Sequence, residues 1–554
     1  MSASSKKKLR KEAAAAGLTE RQIAEQAEAK KLKNITVTFV VIMLVVAVAA
    51  AAILIGRTVN NSGIIDKNTV AAVTGEHELD SIQVNYYLTD TVRNMYQQME
   101  SMYGESTSMY LAMSGFAIND PLNEQIANME TGETWADHYL KEALEQAKSD
   151  YTLYDMAMAE GFKLSEDEQK ALNSNTQMLE LYAAYSGFAS VDKYLKAIYG
   201  AGADLKSYEA YAEISTIAAA YYNQKSDSLS YNDVAIREKE KDNFEKYSSF
   251  SYAVYSVNSA DYLSGGTKDE NGTTNYSEDE RAAALKAAED IANQLKASTS
   301  LEAFNKAIAE LEINKDKKDA ASTLNDDVRY TQITESYREW LSDDTRKAND
   351  ITVIANETTT TDVEGNEQKY TSGYSVVLFI ERNDNLRHLA NVRHLLIKFE
   401  GGTTDANGNK TYSAAEMQAA KTEAERLLQV WKDGNATEET FIELVKEHSD
   451  DGSASEGGLF EDIHPESQYV PSFLSWSLDT ARKTGDTGVI VSDYGYHVMY
   501  YVGDDELTYR DYMISEDLRS ADMEKWYKEI LEPITITQGK TNRLNLDLVL
   551  SNII

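Results

Sequence analysis

The spacing of apolar residues changes character several times along the chain. Residues 35–56, ITVTFVVIMLVVAVAAAAILIG, run without a charge. As a helix rising ~1.5 Å per residue, such a segment crosses a hydrocarbon core of ~30 Å. VAAVTGEHELDSIQVNYYLTD (70–90) alternates, breaks at Gly75 and then takes up helical spacing, which predicts a strand, a turn and the entry to a helix. Helical spacing continues to about residue 248, with a capping box at Ser165 and Glu168 ahead of an apolar run. From residue 249 short alternating runs appear, separated by polar turns and short helical stretches. The stretch YRDYMISEDLRSADMEKWYKEILEPITITQG (509–539) reads as a helix followed by a strand that could return to the helical region.

The mixed region repeats itself. SGGTKDENGTTNYSEDERAAALKAAED (264–290) resembles EGGTTDANGNKTYSAAEMQAAKTEAER (400–426), pairing Gly265 with Gly401 and Tyr276 with Tyr412. The same offset of 136 residues holds where WLSDDTRKANDITVI (340–354) meets WSLDTARKTGDTGVI (476–490), and it sets Tyr337 against Phe473. Both copies open a helix with a capping box, Ser277/Glu280 and Ser413/Glu416. A period this long predicts a domain duplication rather than a solenoid.

GYHVMYYV (495–502) reads as a buried strand with Tyr496, Val498, Tyr500 and Val502 on one face and His497, Met499 and Tyr501 on the other. A lone histidine there is most simply a hydrogen-bonded core residue. Its twin strand is GYSVVLFI (373–380), with Ser375 in the place of His497. The first strands differ likewise: FSYAVYSV (250–257) aligns with VRHLLIKF (392–399), which sets Tyr252 opposite His394. One copy does without both imidazoles. Packing therefore does not demand them, and their joint presence in the other copy points to function.

Composition narrows the setting. With 554 residues the chain is too long for one core, and three or so domains are expected. The absence of cysteine excludes disulfides, thiol catalysis, cysteine-ligated metal and a lipid-modified cysteine anchor. Residues 1–34 carry nine Lys/Arg against four Glu, so of the chain's net −37 the remainder carries about −42. The basic tail predicts a cytoplasmic N-terminus and an extracytoplasmic bulk. A cleaved signal peptide is the rival reading, but the segment is long for one and 34 residues precede it. So acidic a surface repels nucleic acid and suits solubility. The stretch 86–113 interleaves Met95, Met99, Met102, Met109 and Met113 with Tyr96, Tyr103 and Tyr110, which is either ordinary helix-core filling or a surface that repacks around varied partners.

The second copy resembles a parvulin-type peptidyl-prolyl cis/trans isomerase. The likeness runs from VRHLLI through EHSDDGSASEGG (447–458) and QYVPSFLSWSL (468–478) to VSDYGYHVMYYV (491–502). The surrounding organisation resembles extracytoplasmic foldases of the SurA/PrsA type. The resemblance implies His394 and His497 as the paired central histidines, Asp451 beside the substrate imide and Ser492 as a hydroxyl supporting the pair. It implies Phe473 in the proline pocket, with Tyr469 and Leu459 on its walls. Two departures stand out. The family usually has Met where Tyr469 stands, and G-G-D-L-G where Gly457 and Gly458 run into LFED.

No bond is broken in such a reaction, so neither nucleophile, metal nor other cofactor is implied. A two-His-one-carboxylate metal site is the competing use of the same residues; a serine nucleophile lacks its G-x-S-x-G. His448 is assigned to packing, and His388 and His464 to exposed loops. The expected fold class is α+β: tail 1–34, transmembrane helix 35–56, helical SurA/PrsA-like chaperone module 57–248, a degenerate parvulin-like domain 249–383, a parvulin isomerase domain 385–505, and a C-terminal helix and strand 506–554. Each parvulin-like domain is expected as an antiparallel sheet with helices. The expected function is a membrane-anchored foldase that isomerises X-Pro bonds in secreted or wall-associated chains. The alternative is a holdase with both parvulin-like domains silent. Its partners would be unfolded proline-containing proteins and the membrane, with a homodimer left open and no nucleic acid.

Overall fold

The computed structural model describes residues 20–268, 272–361, 367–404 and 410–554. The basic run at 6–11 therefore lies outside the described residues, as do parts of the repeated Gly-Gly hairpins. The chain forms two compact units: residues up to Leu229 together with Asp522–Ile554, and Ser230–Ala521. It passes from the second back to the first within the helix Tyr509–Leu531. Helices and antiparallel sheets make the fold α+β.

In the first unit the helix Glu20–Asn61 contains a stretch, Ile42–Asn61, long and apolar enough to cross a membrane, with a mean hydropathy of 2.4. Its side chains, Leu44, Val48 and Leu54 among them, stand exposed. The stretch starts later than the expected 35–56. Residues 35–41 lie in the same helix, but most of their side chains are outside what is described. The expected strand at 70 is half of a hairpin, Val70–Thr74 with His77–Asp80. The second strand escapes sequence reading because only Leu79 of its four residues is fully buried. Ile536–Gln538 adds antiparallel on the other side, placing Ala72 opposite Gln538. Tyr86 and Leu88 of Ser81–Tyr103 and Leu140 of Trp135–Glu160 share one core with Leu544, Leu548 and Leu550 of the C-terminal tail. Ser165 and Glu168 close the capping box that starts Glu166–Tyr185. The methionine stripe divides: Met95 and Met99 pack on the core, whereas Met102, Met109 and Met113 are exposed.

The second unit carries two four-stranded antiparallel sheets of the same order. One runs Thr323–Arg329, Ser249–Asn258, Glu367–Asn383, Ile351–Thr361. The other runs Leu459–Ile463, His388–Lys398, Gly495–Thr508, Thr487–Val491. Each has one face under two helices. Ala288, Ala292 and Leu295 of Glu278–Lys296 and Phe304 of Leu301–Ala309 cover Val376 and Leu378 in the first. Leu427 of Ala414–Asp433 and Phe441 of Glu438–His448 cover Val498 and Tyr500 in the second. Both long helices start with the expected capping boxes.

Two glycines fix how the sheets correspond. A Cβ on Gly373 would lie 2.3 Å from the Val257 carbonyl oxygen, and one on Gly495 would lie 2.1 Å from that of Ile397. Gly373 pairs with Asn258 and Gly495 with Lys398. Counting from these anchors, Ser375 matches His497, as the strand alignment has it. The counterpart of His394, however, is Val254, which pairs with Val377 as His394 pairs with Met499. Tyr252, the residue aligned with His394 in sequence, stands two positions along on the same face and matches Val392. The stretch from the first strand to the Gly-Gly turn is longer in the first sheet (Asn258 to Gly265) than in the second (Lys398 to Gly401), so a linear alignment does not fix this offset.

Candidate active site

The pairing of the two central strands sets His394 opposite Met499 and Leu396 opposite His497. The two imidazoles are therefore diagonal neighbours on one face of the sheet. Leu395, Val498 and Tyr500 fill the opposite face against the helices. His394 and His497 are both buried, their rings stacked at 20° with centroids 5.2 Å apart.

Asp451 reaches the pair from the loop after Glu438–His448. It caps the short 3-10 turn Gly452–Glu456, and its Oδ1 accepts the Ser453 N–H at 2.9 Å and the Ser453 hydroxyl at 2.6 Å. The loop then meets the His394 strand. The His394 N–H donates to the Gly458 carbonyl at 2.9 Å. Gly458 has φ +64°, and a Cβ there would lie 2.1 Å from the His394 carbonyl oxygen, so only glycine permits this approach.

The polar side chains form a line. Ser492 Oγ lies 2.8 Å from His497 Nε2, the two Nδ1 atoms are 3.0 Å apart, and His394 Nε2 is 3.5 Å from Asp451 Oδ1. An ionised carboxylate only accepts. Assigning Nε2–H of His394 to face Asp451 leaves its Nδ1 to accept from His497 Nδ1–H, and leaves His497 Nε2 to accept from the Ser492 hydroxyl. Ser492 Oγ in turn accepts the Tyr494 N–H at 3.2 Å. Every donor then points toward Asp451. Contact with His394, then the Ser453 donors, holds the Asp451 carboxyl well below the usual carboxylate range. Burial, followed by the neighbouring His394, pushes the His497 imidazole down to about 4. The line thus runs from a hydroxyl through a neutral His497 imidazole and then His394 to a carboxylate. Among the described residues no group of three or more His, Asp or Glu side chains is placed to hold a metal ion.

An aromatic wall stands beside the line. Phe473, from the helix Pro471–Ser477, meets His394 edge-on at 5.4 Å, and Phe460 lies 4.9 Å from the same imidazole. Tyr469 lies 5.2 Å from Phe473 and 5.3 Å from Phe460. Phe473 is only 3% exposed.

Of the residues singled out in sequence, the structure brings together His394, His497, Asp451, Ser492, Phe473 and Tyr469. It does not bring Leu459. Leu459 pairs with Arg393 and so faces the opposite side of the sheet, whereas Phe460 pairs with Val392 on the histidine side. Phe460 is the wall residue that sequence reading missed; alternation counted back from Ile463 would place Leu459 on that face, and the register shift between Ala390 and Val392 puts Phe460 there instead. His464 is also corrected. It is half-buried, stacked on Tyr509 at 5.1 Å and against Tyr512 at 4.8 Å, and burial lowers its pKa. His388 is exposed, as expected, but it opens the strand His388–Lys398 rather than lying in a loop.

Residues 394–503 match the family described as rotamase, PPIC-type PPIASE domain. This part of the chain is a peptidyl-prolyl isomerase domain of the parvulin class. No curated protein matches the chain. Among solved structures, the chain is similar to the peptidylprolyl isomerase PrsA from Bacillus anthracis at 21% identity, over 27% of this chain and 59% of that one, with a TM-score of 0.16. It is similar to PrsA from Bacillus subtilis at 15% identity, over 72% and 86% of the two chains, with a TM-score of 0.23. A SurA-like chaperone from Campylobacter jejuni aligns at 12% identity over 69% and 91%, with a TM-score of 0.14.

Proposed function

We propose that the chain is a membrane-anchored extracytoplasmic foldase whose domain 385–505 isomerises X-Pro bonds in unfolded secreted proteins. The observation that carries this reading is the donor line from Ser492 through His497 and His394 to Asp451, set against Phe460 and Phe473. An X-Pro bond exchanges over tens to hundreds of seconds because resonance flattens the C–N bond, with a barrier of ~18–20 kcal/mol. A site accelerates exchange by favouring the twisted amide. A 10⁴-fold effect needs only about 5–6 kcal/mol. The aromatic wall would hold the proline ring and exclude water that stabilises the planar form. Asp451, kept ionised, would sit beside the carbonyl. Resonance puts negative charge on that oxygen in the planar amide and withdraws it on twisting, so a fixed carboxylate disfavours the ground state more than the transition state. The imidazoles hold Asp451 in place rather than transfer protons.

In this reading the helical region 57–248 with 506–554 is the client-binding body, and 249–383 is a silent parvulin-like copy. The basic tail 1–34 lies in the cytoplasm, with the rest outside. Protease added to intact cells should remove everything past the span, and protection of the bulk would sink the topology. The activity test is cis/trans exchange of a short X-Pro peptide, together with proline-limited refolding of an unfolded protein, by the full chain. Acceleration of both is expected. One observation favours the holdase alternative: Tyr469 lies against a Phe473 that is already 3% exposed. Suppressed aggregation without faster exchange would establish that alternative.

A further inference from the structure

Three helices of the first unit, Ser81–Tyr103, Trp135–Glu160 and Leu205–Asp227, line an open cavity of about 720 Å³ that Tyr527 also borders. Its volume falls in the range of roughly 300–1,000 Å³ typical of small-ligand sites. Two carboxylates open on it, and they differ in their company. Asp90 is matched: Arg93 Nη1 lies 3.1 Å away, and the hydroxyls of Tyr199 and Tyr211 donate to it at 3.0 and 2.9 Å. Asp150, 6% exposed, receives the Gln146 amide at 2.7 Å and, among the described residues, has no cationic partner. Burial pushes its carboxyl up to about 6. Tyr87 lines the same cavity at 3% exposure, and its hydroxyl, near Asp150, makes no hydrogen bond of acceptable geometry. The rest of the lining includes Asn94, Ser215, Tyr222 and Asn223.

A buried carboxylate without a counter-charge is costly, and a cation entering beside it offsets the cost. Phenol faces attract cations, and amide and hydroxyl oxygens accept their N–H donors. Arg93 does not serve, because Asp90 already neutralises it. The cavity is therefore left with one negative charge in excess and acceptors around it. We propose that it binds an alkylammonium or guanidinium group, supplied by a lysine or arginine side chain of an unfolded polypeptide or by a free amine. The polypeptide source rests on the foldase reading above; the amine chemistry does not.

The test titrates the full chain in detergent micelles with three probes: acetyl-Gly-Gly-Lys-Gly-Gly-amide, its norleucine counterpart and spermidine. The lysine peptide should bind at least tenfold more tightly than the norleucine peptide, and Asp150→Asn should abolish the difference. That variant removes an uncompensated buried charge, so its melting temperature should not fall. The wild-type comparison of the two peptides stands without any variant. Spermidine binding with no lysine-peptide binding would keep the amine site and reject the polypeptide source. Equal affinity for the two peptides together with no spermidine binding would overturn the proposal. Suppression of client aggregation is measured on the same sample. Suppression without any amine preference sinks this site and spares the foldase reading, and amine preference without suppression does the reverse.

Discussion

The two tandem sheets of the second unit share strand order, helix-covered faces and an anchoring glycine, yet their other faces are built differently. In the first sheet the central strand supplies the bulk. Phe250 and Tyr252 are buried, Tyr252 meets Tyr337 edge-on at 5.7 Å, and Ile333 is 1% exposed. The face is a filled core, and Ser375 at its margin simply donates to Asn356 Oδ1 at 2.8 Å. In the second sheet the matching central positions are Ala390 and Val392, and the bulk comes from the periphery, from Phe460, Tyr469 and Phe473. The middle of that face is free to hold two imidazoles. At the position of Phe460 the first copy has Asn325, which pairs with Tyr252 as Phe460 pairs with Val392. One backbone thus supports either a packed core or a site, depending on which strand carries the large side chains.

The strongest way to break this contrast is to write the first copy's residues into the second. In the full chain, His394→Val with His497→Ser should lower X-Pro exchange by about two orders of magnitude, a loss of ~3 kcal/mol in barrier stabilisation. Unchanged exchange would move the activity elsewhere. Phe473→Ala should impair exchange and also lower stability by roughly 3–5 kcal/mol, because the ring is fully enclosed; a denaturation midpoint equal to wild type would show that the wall is not packed as described. Asp451→Asn should reduce exchange about tenfold, on the scale of ~1.4 kcal/mol, and should lower the melting temperature at neutral pH, because the ionised carboxylate also stabilises the folded state.

Acid should sharpen the difference between the copies. His497 is held neutral with its pKa down at about 4, whereas an unfolded histidine titrates near ~6.5. Between those values the unfolded chain binds a proton that the folded one refuses, so stability falls as pH drops through that window. Asp451, whose folded pKa is depressed, adds a loss as pH falls below the ordinary carboxylate range toward its own pKa. Exchange should be flat from about pH 7 to 9 and disappear toward pH 4. Activity that rises on acidification would contradict a neutral His497. The smallest effect is expected from Tyr469→Met, a gain of at most a few-fold as the half-buried phenol leaves the wall. A loss of activity would instead make the Tyr469 hydroxyl part of the site.

Much of the local structure was legible from spacing alone. The three capping boxes and the two faces of GYHVMYYV rest on contacts within one helical turn or on strand alternation, and each appears as read, whereas the apolar span lies at Ile42–Asn61 rather than 35–56. The comparison of twin strands also singled out His497 correctly, because Gly373 and Gly495 sit two residues before Ser375 and His497 and no bulge intervenes. What failed crossed a bulge or depended on a neighbour distant in sequence. Tyr252 was set against His394 because the first strands carry no anchor of their own in sequence, and only their pairing with the Gly373 and Gly495 strands fixes the offset. Leu459 was preferred to Phe460 because a single residue of register decides which face a side chain joins. His464 looked like loop until the helix Tyr509–Leu531 laid Tyr509 and Tyr512 over it. The sequence by itself determined which segments are helix or strand and which residue types were available for chemistry, since those follow from short-range sterics and hydrophobic periodicity. Only the tertiary structure decided which of those side chains meet, because strand register and the packing of distant helices are set by contacts that no local pattern records.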